Sequence, residues 1–173
     1  MLTGARVADD LAYRDTVTPH PFTSFRRKCL QERGGPIVCK DRTTIDDVIT
    51  RNLIEMVKRL YKHFETLAIE YEFAYLRFHD SGSFYGVSGS YAASGDVFLM
   101  SPFKCENLFK DMTEAGLRLI RSQDHDRGVM LIVARKDREY KVHFEWSDLD
   151  RWRIDKLDGR TGIPEGFPAS SLG

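Results

Sequence analysis

The sequence predicts an α+β domain: an antiparallel sheet of about five strands with helices packed on one face. Two observations carry this. In two long segments, residues 43–68 and 103–123, apolar side chains recur at three- and four-residue steps, the spacing of an amphipathic helix. Around them lie short aromatic or alternating runs cut by Gly/Ser/Asp turns, the pattern of an antiparallel meander. The order is helix, three strands, helix, two strands, and antiparallel runs separated by helices define the class. The face of the sheet away from the helices is then expected to be wet or to hold a partner.

Residues 1–42 differ from the rest. "TVTPHPF" places two prolines close together and "ERGGP" is a loop signal, so this stretch reads as an irregular N-terminal arm. A single domain over 43–173 follows, with an irregular Gly/Pro tail from about residue 158. In the first helix Ile45, Val48, Ile49, Leu53, Met56, Val57, Leu60, Phe64 and Leu67 form the apolar stripe. Thr43 or Thr44 is placed to cap it, and Asp46 and Asp47 suit its N-terminal dipole. His63 lies among charges and reads as a surface residue.

"YEFAYLRFH" is the first strand and "DSGS" its turn; "FYGVSGSY" is the second strand, "AASGD" its turn and "VFLM" the third. Ser101-Pro102 stops the meander. The second helix buries Phe103, Leu108, Phe109, Met112, Leu117 and Ile120, and "DHDRG" closes it. "VMLIVAR" is so apolar that it belongs inside the sheet. After the turn "KDR", "EYKVHFEW" alternates, with Tyr140, Val142, Phe144 and Trp146 inward and Glu139, Lys141, His143 and Glu145 outward.

Composition narrows the function. The chain has 173 residues, 26 basic and 26 acidic. This neutral balance lacks the basic face of a general nucleic-acid binder. Residues 1–43 hold eight Lys/Arg against five Asp/Glu, which leaves the body mildly acidic. No apolar stretch has the length to span a membrane, and no basic start with an apolar run marks a signal peptide; a cytoplasmic protein is expected. Cys29, Cys39 and Cys105 show no CxxC spacing and read as reduced thiols.

Chemistry-bearing patterns are sparse. "SGSFYGVSGS" is rich in Gly and Ser but lacks the GxxxxGK[ST] order and a following helix, so hairpin turns explain it. No GxSxG elbow occurs. Cys105 begins a helix, where a thiolate is favoured, but no base is marked beside it. His20, His63, His79, His125 and His143 lack metal-ligand spacing, and no metal or cofactor is expected. His79 and His143 are the best catalytic candidates: if their strand faces coincide, one imidazole as base and one as acid would make a small hydrolase or ribonuclease.

The alternative is a binding surface. Tyr85, Tyr91, Trp146 and Trp152 are candidate anchors, with Trp146 favoured as core. Glu145, Asp148, Asp150 and Asp155 would form a negative rim for a basic partner. The partner-binding set is thus Tyr85, Tyr91, Glu145, Asp148, Asp150, Trp152 and Asp155, with no catalytic residue assigned.

Three stretches also carry a likeness: "LYKHFETLA" leading into "YEFAYLRFH", the helix "LFKDMTEAGLRLIRSQ", and the closing hairpin "GVMLIVARKDREYKVHFEWSDLDRW". From about Thr43 to Trp152 the chain resembles the YezG-type immunity proteins, cytosolic antitoxins of bacterial polymorphic or contact-dependent toxin systems. The resemblance implies a non-enzymatic protein that neutralises a cognate toxin, often a nuclease, by covering its active site in a heterodimer. It implies neither a nucleic-acid nor a membrane partner. A different interaction adaptor on the same fold is the other reading. The arm and the residues after Asp158 extend beyond the resemblance.

Overall fold

Apolar stripes and alternating runs become two helices and five strands in a computed structural model, which describes residues 42–167 and the side chains of 47 and 49–167. The arm, save Arg42, lies outside the described residues, as do the side chains of Thr43, Thr44 and Asp46. The helices are α1 (Arg42–Thr66) and α2 (Glu106–Ser122); the strands are β1 (Phe73–Asp80), β2 (Tyr85–Ala93), β3 (Asp96–Leu99), β4 (Gly128–Arg135) and β5 (Tyr140–Glu145). All neighbours pair antiparallel in the order β3-β2-β1-β4-β5. The predicted α+β class and element order stand. The apolar fourth strand is internal, between β1 and β5.

Helix α1 begins one residue before the expected start, so Asp46 and Asp47 fall beyond its first turn. It ends where Ala68 turns left-handed (φ 50°) and the Ile69 amide reaches back to the Phe64 carbonyl, a Schellman closure. Leu67 is therefore past the helix and exposed. Helix α2 begins three residues later than expected. Phe103 sits in the preceding turn and is 94% exposed, because the chain between Met100 and Cys105 is folded by Cys105 and Lys104 amides bonding the Ser101 carbonyl. The β2–β3 turn uses Ser94 and Gly95, both at positive φ, the geometry of a tight hairpin.

Two buried clusters flank the sheet. The first joins Met56, Val57, Leu60 and Phe64 of α1 with Leu108, Met112, Leu119 and Ile120 of α2. From the strands it takes Ala74, Leu76 and Phe78 of β1 and Met130, Ile132 and Ala134 of β4. Tyr140, Val142, Phe144 and Trp146 pack against it, so the predicted strand phase is correct. Gly116 sets the depth at which α2 docks: a Cβ there would stand 2.5 Å from the Phe78 ring.

The second cluster lies under the opposite parity of residues: Tyr75 of β1 and Val129, Leu131 and Val133 of β4, closed by Trp152 and Ile154 with Leu149 and Phe167. The expectation of a wet or partner-holding second face is thus overturned. Residues 147–167, read as a turn and a tail, form a strap across it. The strap is tied near its start by Arg77, whose Nε donates to the Arg151 carbonyl (2.8 Å) and Nη2 to the Leu149 carbonyl (2.6 Å). At the far side Ser90 Oγ donates to the Gly162 carbonyl (2.6 Å), and Gly162 lies against Val97 and Leu99 of β3. Phe167 then returns over Tyr75 and His143. The strap is irregular, as expected of that composition, yet Gly162 and Pro164 are buried. No helix among the described residues is long and apolar enough to cross a membrane.

Candidate functional site at one end of the sheet

The seven residues expected to bind a partner do not form one surface. Trp152 is the clearest departure. It is 9% exposed and belongs to the second cluster, beside His143. Its backbone is left-handed (φ 58°), which costs about 1–2 kcal/mol. Burying an indole removes on the order of 200 Å² from water, worth about 5 kcal/mol at 25 cal/mol per Å², so burial prevails. Tyr91 is half-buried, stacked on Phe98 (5.4 Å) and edge-on to Phe64 (5.4 Å).

Three carboxylates of the expected rim have local work. Glu145 accepts from the amides of Ser147 (2.8 Å) and Asp148 (3.2 Å), and these bonds hold its pKa below the usual carboxylate range. Asp148 accepts from the Asp150 amide (3.1 Å). Asp155 pairs with Arg160 (2.8 Å), which lowers its pKa, and accepts from the Leu157 amide. These are turn-forming bonds that shape the strap. Asp148 and Asp150 also offset the buried Arg77 guanidinium, which is 6% exposed and whose pKa is lowered by burial and raised by those two carboxylates. Both remain exposed.

His79 and His143 do share a face, but β4 lies between them. The cross-sheet rows run Gly86–His79–Val129–Glu145 and Ser88–Arg77–Leu131–His143. His79 Nδ1 is 3.1 Å from Arg77 Nη1, and burial, then the Arg77 charge, lowers its pKa. His143 is roofed by Trp152 and Phe167.

His63 was expected at the surface and no base was expected beside Cys105; both expectations fail together. His63 is half-buried, with Nε2 at 3.3 Å from the buried Cys105 Sγ. Burial lowers the imidazole pKa and raises the thiol pKa. Both directions favour a neutral S–H···N bond over a thiolate–imidazolium pair. No sequence spacing links position 63 to 105; only the packing of α1 on α2 brings them together. No group of three or more His, Cys, Asp or Glu among the described residues is arranged to hold a metal.

What the fold does assemble is a set of loops at the sheet end marked by Asp80, Gly128 and Glu145. The β1–β2 turn is built there by side chains: Asp80 Oδ1 accepts from the Gly82 amide, and Ser81 Oγ from that of Phe84. This turn leaves Phe84 66% and Tyr85 53% exposed. Beside it Trp146 lies over Gly128, where a Cβ would meet its ring at 2.5 Å. Three rings stack in order: Phe144 on Trp146 (5.4 Å, 14°) and Trp146 on His125 (3.9 Å, 7°). Trp146 and His125 border an open cavity of about 570 Å³ together with Ser81, Gly82, Asp124, Asp126 and Arg127.

Of the expected residues, Tyr85 stands at this end and is exposed, while Asp148 and Asp150, also exposed, lie on the strap beside Arg77. Phe84, His125, Asp124 and Asp126 were missed as site residues. The signal for them was present in "DHD" at a helix end and in the turn "DSGSFY", but each is satisfied by turn chemistry when read alone. No protein-family model matches the chain, and no curated protein matches it.

Proposed function

We propose that this is an immunity protein, acting in the cytosol, that binds and neutralises a cognate bacterial toxin domain through the sheet end just described. The carrying observation is that solvent-facing Phe84 and Tyr85 end the β1–β2 turn whose Ser81 and Gly82 share an open cavity with the Trp146–His125 stack and the exposed carboxylates Asp124 and Asp126. Aromatic anchors inside a charged rim are the composition of a protein interface. A nuclease toxin presents a basic surface to nucleic acid, and a carboxylate rim complements that surface and speeds encounter. The resemblance of residues 43–152 to immunity proteins supports the partner class.

Co-expression with the toxin domain encoded in the adjacent reading frame tests this. Growth should be restored and the two chains should co-purify as a heterodimer. Replacing both Phe84 and Tyr85 by Ala should weaken the complex about tenfold or more with the melting temperature nearly unchanged. A toxin that neither binds nor is silenced would overturn the proposal.

A further inference from the structure

The strap is held near its start by one buried cation. Arg77 is 6% exposed, and a guanidinium can only donate. Its Nε and Nη2 go to the carbonyls of Arg151 and Leu149, and Nη1 goes to His79 Nδ1 at 3.1 Å. Among the described residues no carboxylate bonds it; Asp150 and Asp148 act on it only through their charge. The guanidinium keeps its proton at any ordinary pH. Nδ1 must therefore accept, and the imidazole must be neutral with its proton on Nε2. His79 is half-buried under the Phe84 ring (5.6 Å). Its cross-strand neighbours are Gly86 of β2 and Val129 of β4, and Glu145 of β5 ends the same row. Burial and the Arg77 charge oppose a second proton on the ring; Asp80, the Gly86 backbone and Asp150 of the strap favour it more weakly. Arg153 of the strap adds positive charge near Arg77.

We propose that His79 makes the strap a pH-gated cover for the second face of the sheet. Neutral, the imidazole accepts from Arg77 and orients the guanidinium toward the strap carbonyls. Protonated, it has no lone pair to offer and sets a second cation 3.1 Å from the first. Arg77 then turns away, and the carbonyls of Leu149 and Arg151 lose their donor. Acid shifts the strap toward an open state in which Trp152 and Ile154 lift from Val129, Leu131 and Val133. Both helices and the strand pairing do not use these bonds and remain. An imidazole freed from Arg77 titrates near its ordinary value of about 6.5, whereas the closed one titrates lower, so opening takes up a proton. Closure is held in full above about pH 6.5. As the pH falls from there to the lowered folded value, the opening constant rises about tenfold per pH unit.

The two tryptophans allow a direct test, because Trp152 belongs to the strap and Trp146 packs on the helical side. In a full-length Trp146→Phe chain, acrylamide quenching of Trp152 is followed from about pH 7.5 to 5 alongside far-UV circular dichroism. Quenching should rise below about pH 6.5 while the dichroism stays unchanged. His79→Gln offers Arg77 a neutral amide oxygen that does not titrate, so it should abolish the rise and keep Trp152 shielded throughout. His79→Lys sets a permanent cation there and should leave Trp152 open to quencher even at about pH 7.5. In the unaltered chain, amide exchange over residues 147–167, corrected for the intrinsic effect of pH, should rise ahead of that of β4; this keeps the test independent of the Trp146 change. Quenching that stays flat, a rise that survives in His79→Gln, or exchange that rises in step in the strap and β4 would overturn the proposal.

Discussion

The two faces of the sheet each carry a buried cluster but are covered in different ways. One lies under amphipathic helices whose apolar side chains recur with a helical period. The other lies under a strap without a period, fastened by a few hydrogen bonds and the rings of Trp152 and Phe167. A helix satisfies its own backbone, so it needs only an apolar stripe to dock. A strap must find partners for its carbonyls in the sheet, and this one finds them in Arg77 and Ser90. Burial by irregular chain thus depends on polar side chains placed inside an apolar face.

The sharpest way to break the comparison is to remove one cover. Ending the chain at residue 150 would bare Val129, Leu131 and Val133 while leaving both helices. The expected result is loss of soluble protein and of cooperative urea unfolding; a soluble, cooperative product would show that the strap is dispensable. Next, Leu76→Ala and Leu131→Ala empty matching sites on the two faces. Each should cost about 2–5 kcal/mol, measured by urea denaturation. A near-neutral Leu131→Ala would return the second face to solvent.

A smaller loss tests the fastening itself. Arg77→Met keeps an apolar stem but strands the carbonyls of Leu149 and Arg151, for a cost of about 1–3 kcal/mol. Ser90→Ala strands one carbonyl and should cost less. The smallest effect is with pH. His63 and His79 both have pKa values lowered in the folded state by burial, so the unfolded chain binds protons more readily. Stability should be complete above the unfolded imidazole value of about 6.5 and should fall as the pH drops through the lowered folded values. His79→Gln should flatten part of that slope in thermal melts between about pH 7 and 5; a stability that rose on acidification would contradict the burial of both rings.

The fold was legible wherever residues repeat. Both helices, all five strands and the inward phase of Tyr140, Val142, Phe144 and Trp146 follow from spacing alone. Helix ends were less so: α1 closes at Ala68, a left-handed position that glycine would have advertised, and the turn at Ser101 delays α2 to Glu106. The strap was hidden in its own residues but visible in its target. β4 is apolar at both parities, Met130 and Ile132 as well as Val129 and Leu131, and a strand apolar on both sides must be covered on both sides. The site was partly legible. Tyr85 was found as an exposed aromatic residue near a turn, and Asp148 and Asp150 as exposed carboxylates that belong to the strap instead. Trp152 was misplaced because a tryptophan in a charged turn gives no sign of which way its backbone will swing. His125 and Phe84 were missed because their significance comes from three loops meeting, which no single stretch displays.

The strap also imposes an order on synthesis. It follows every strand in the chain, so a ribosome releases all five strands and both helices before the segment that dries the second face. Until Phe167 has left the exit tunnel, Val129, Leu131 and Val133 stand open on a sheet that is otherwise complete. A chain stalled or truncated before the strap therefore presents to chaperones and proteases an apolar surface that the strapped sheet conceals.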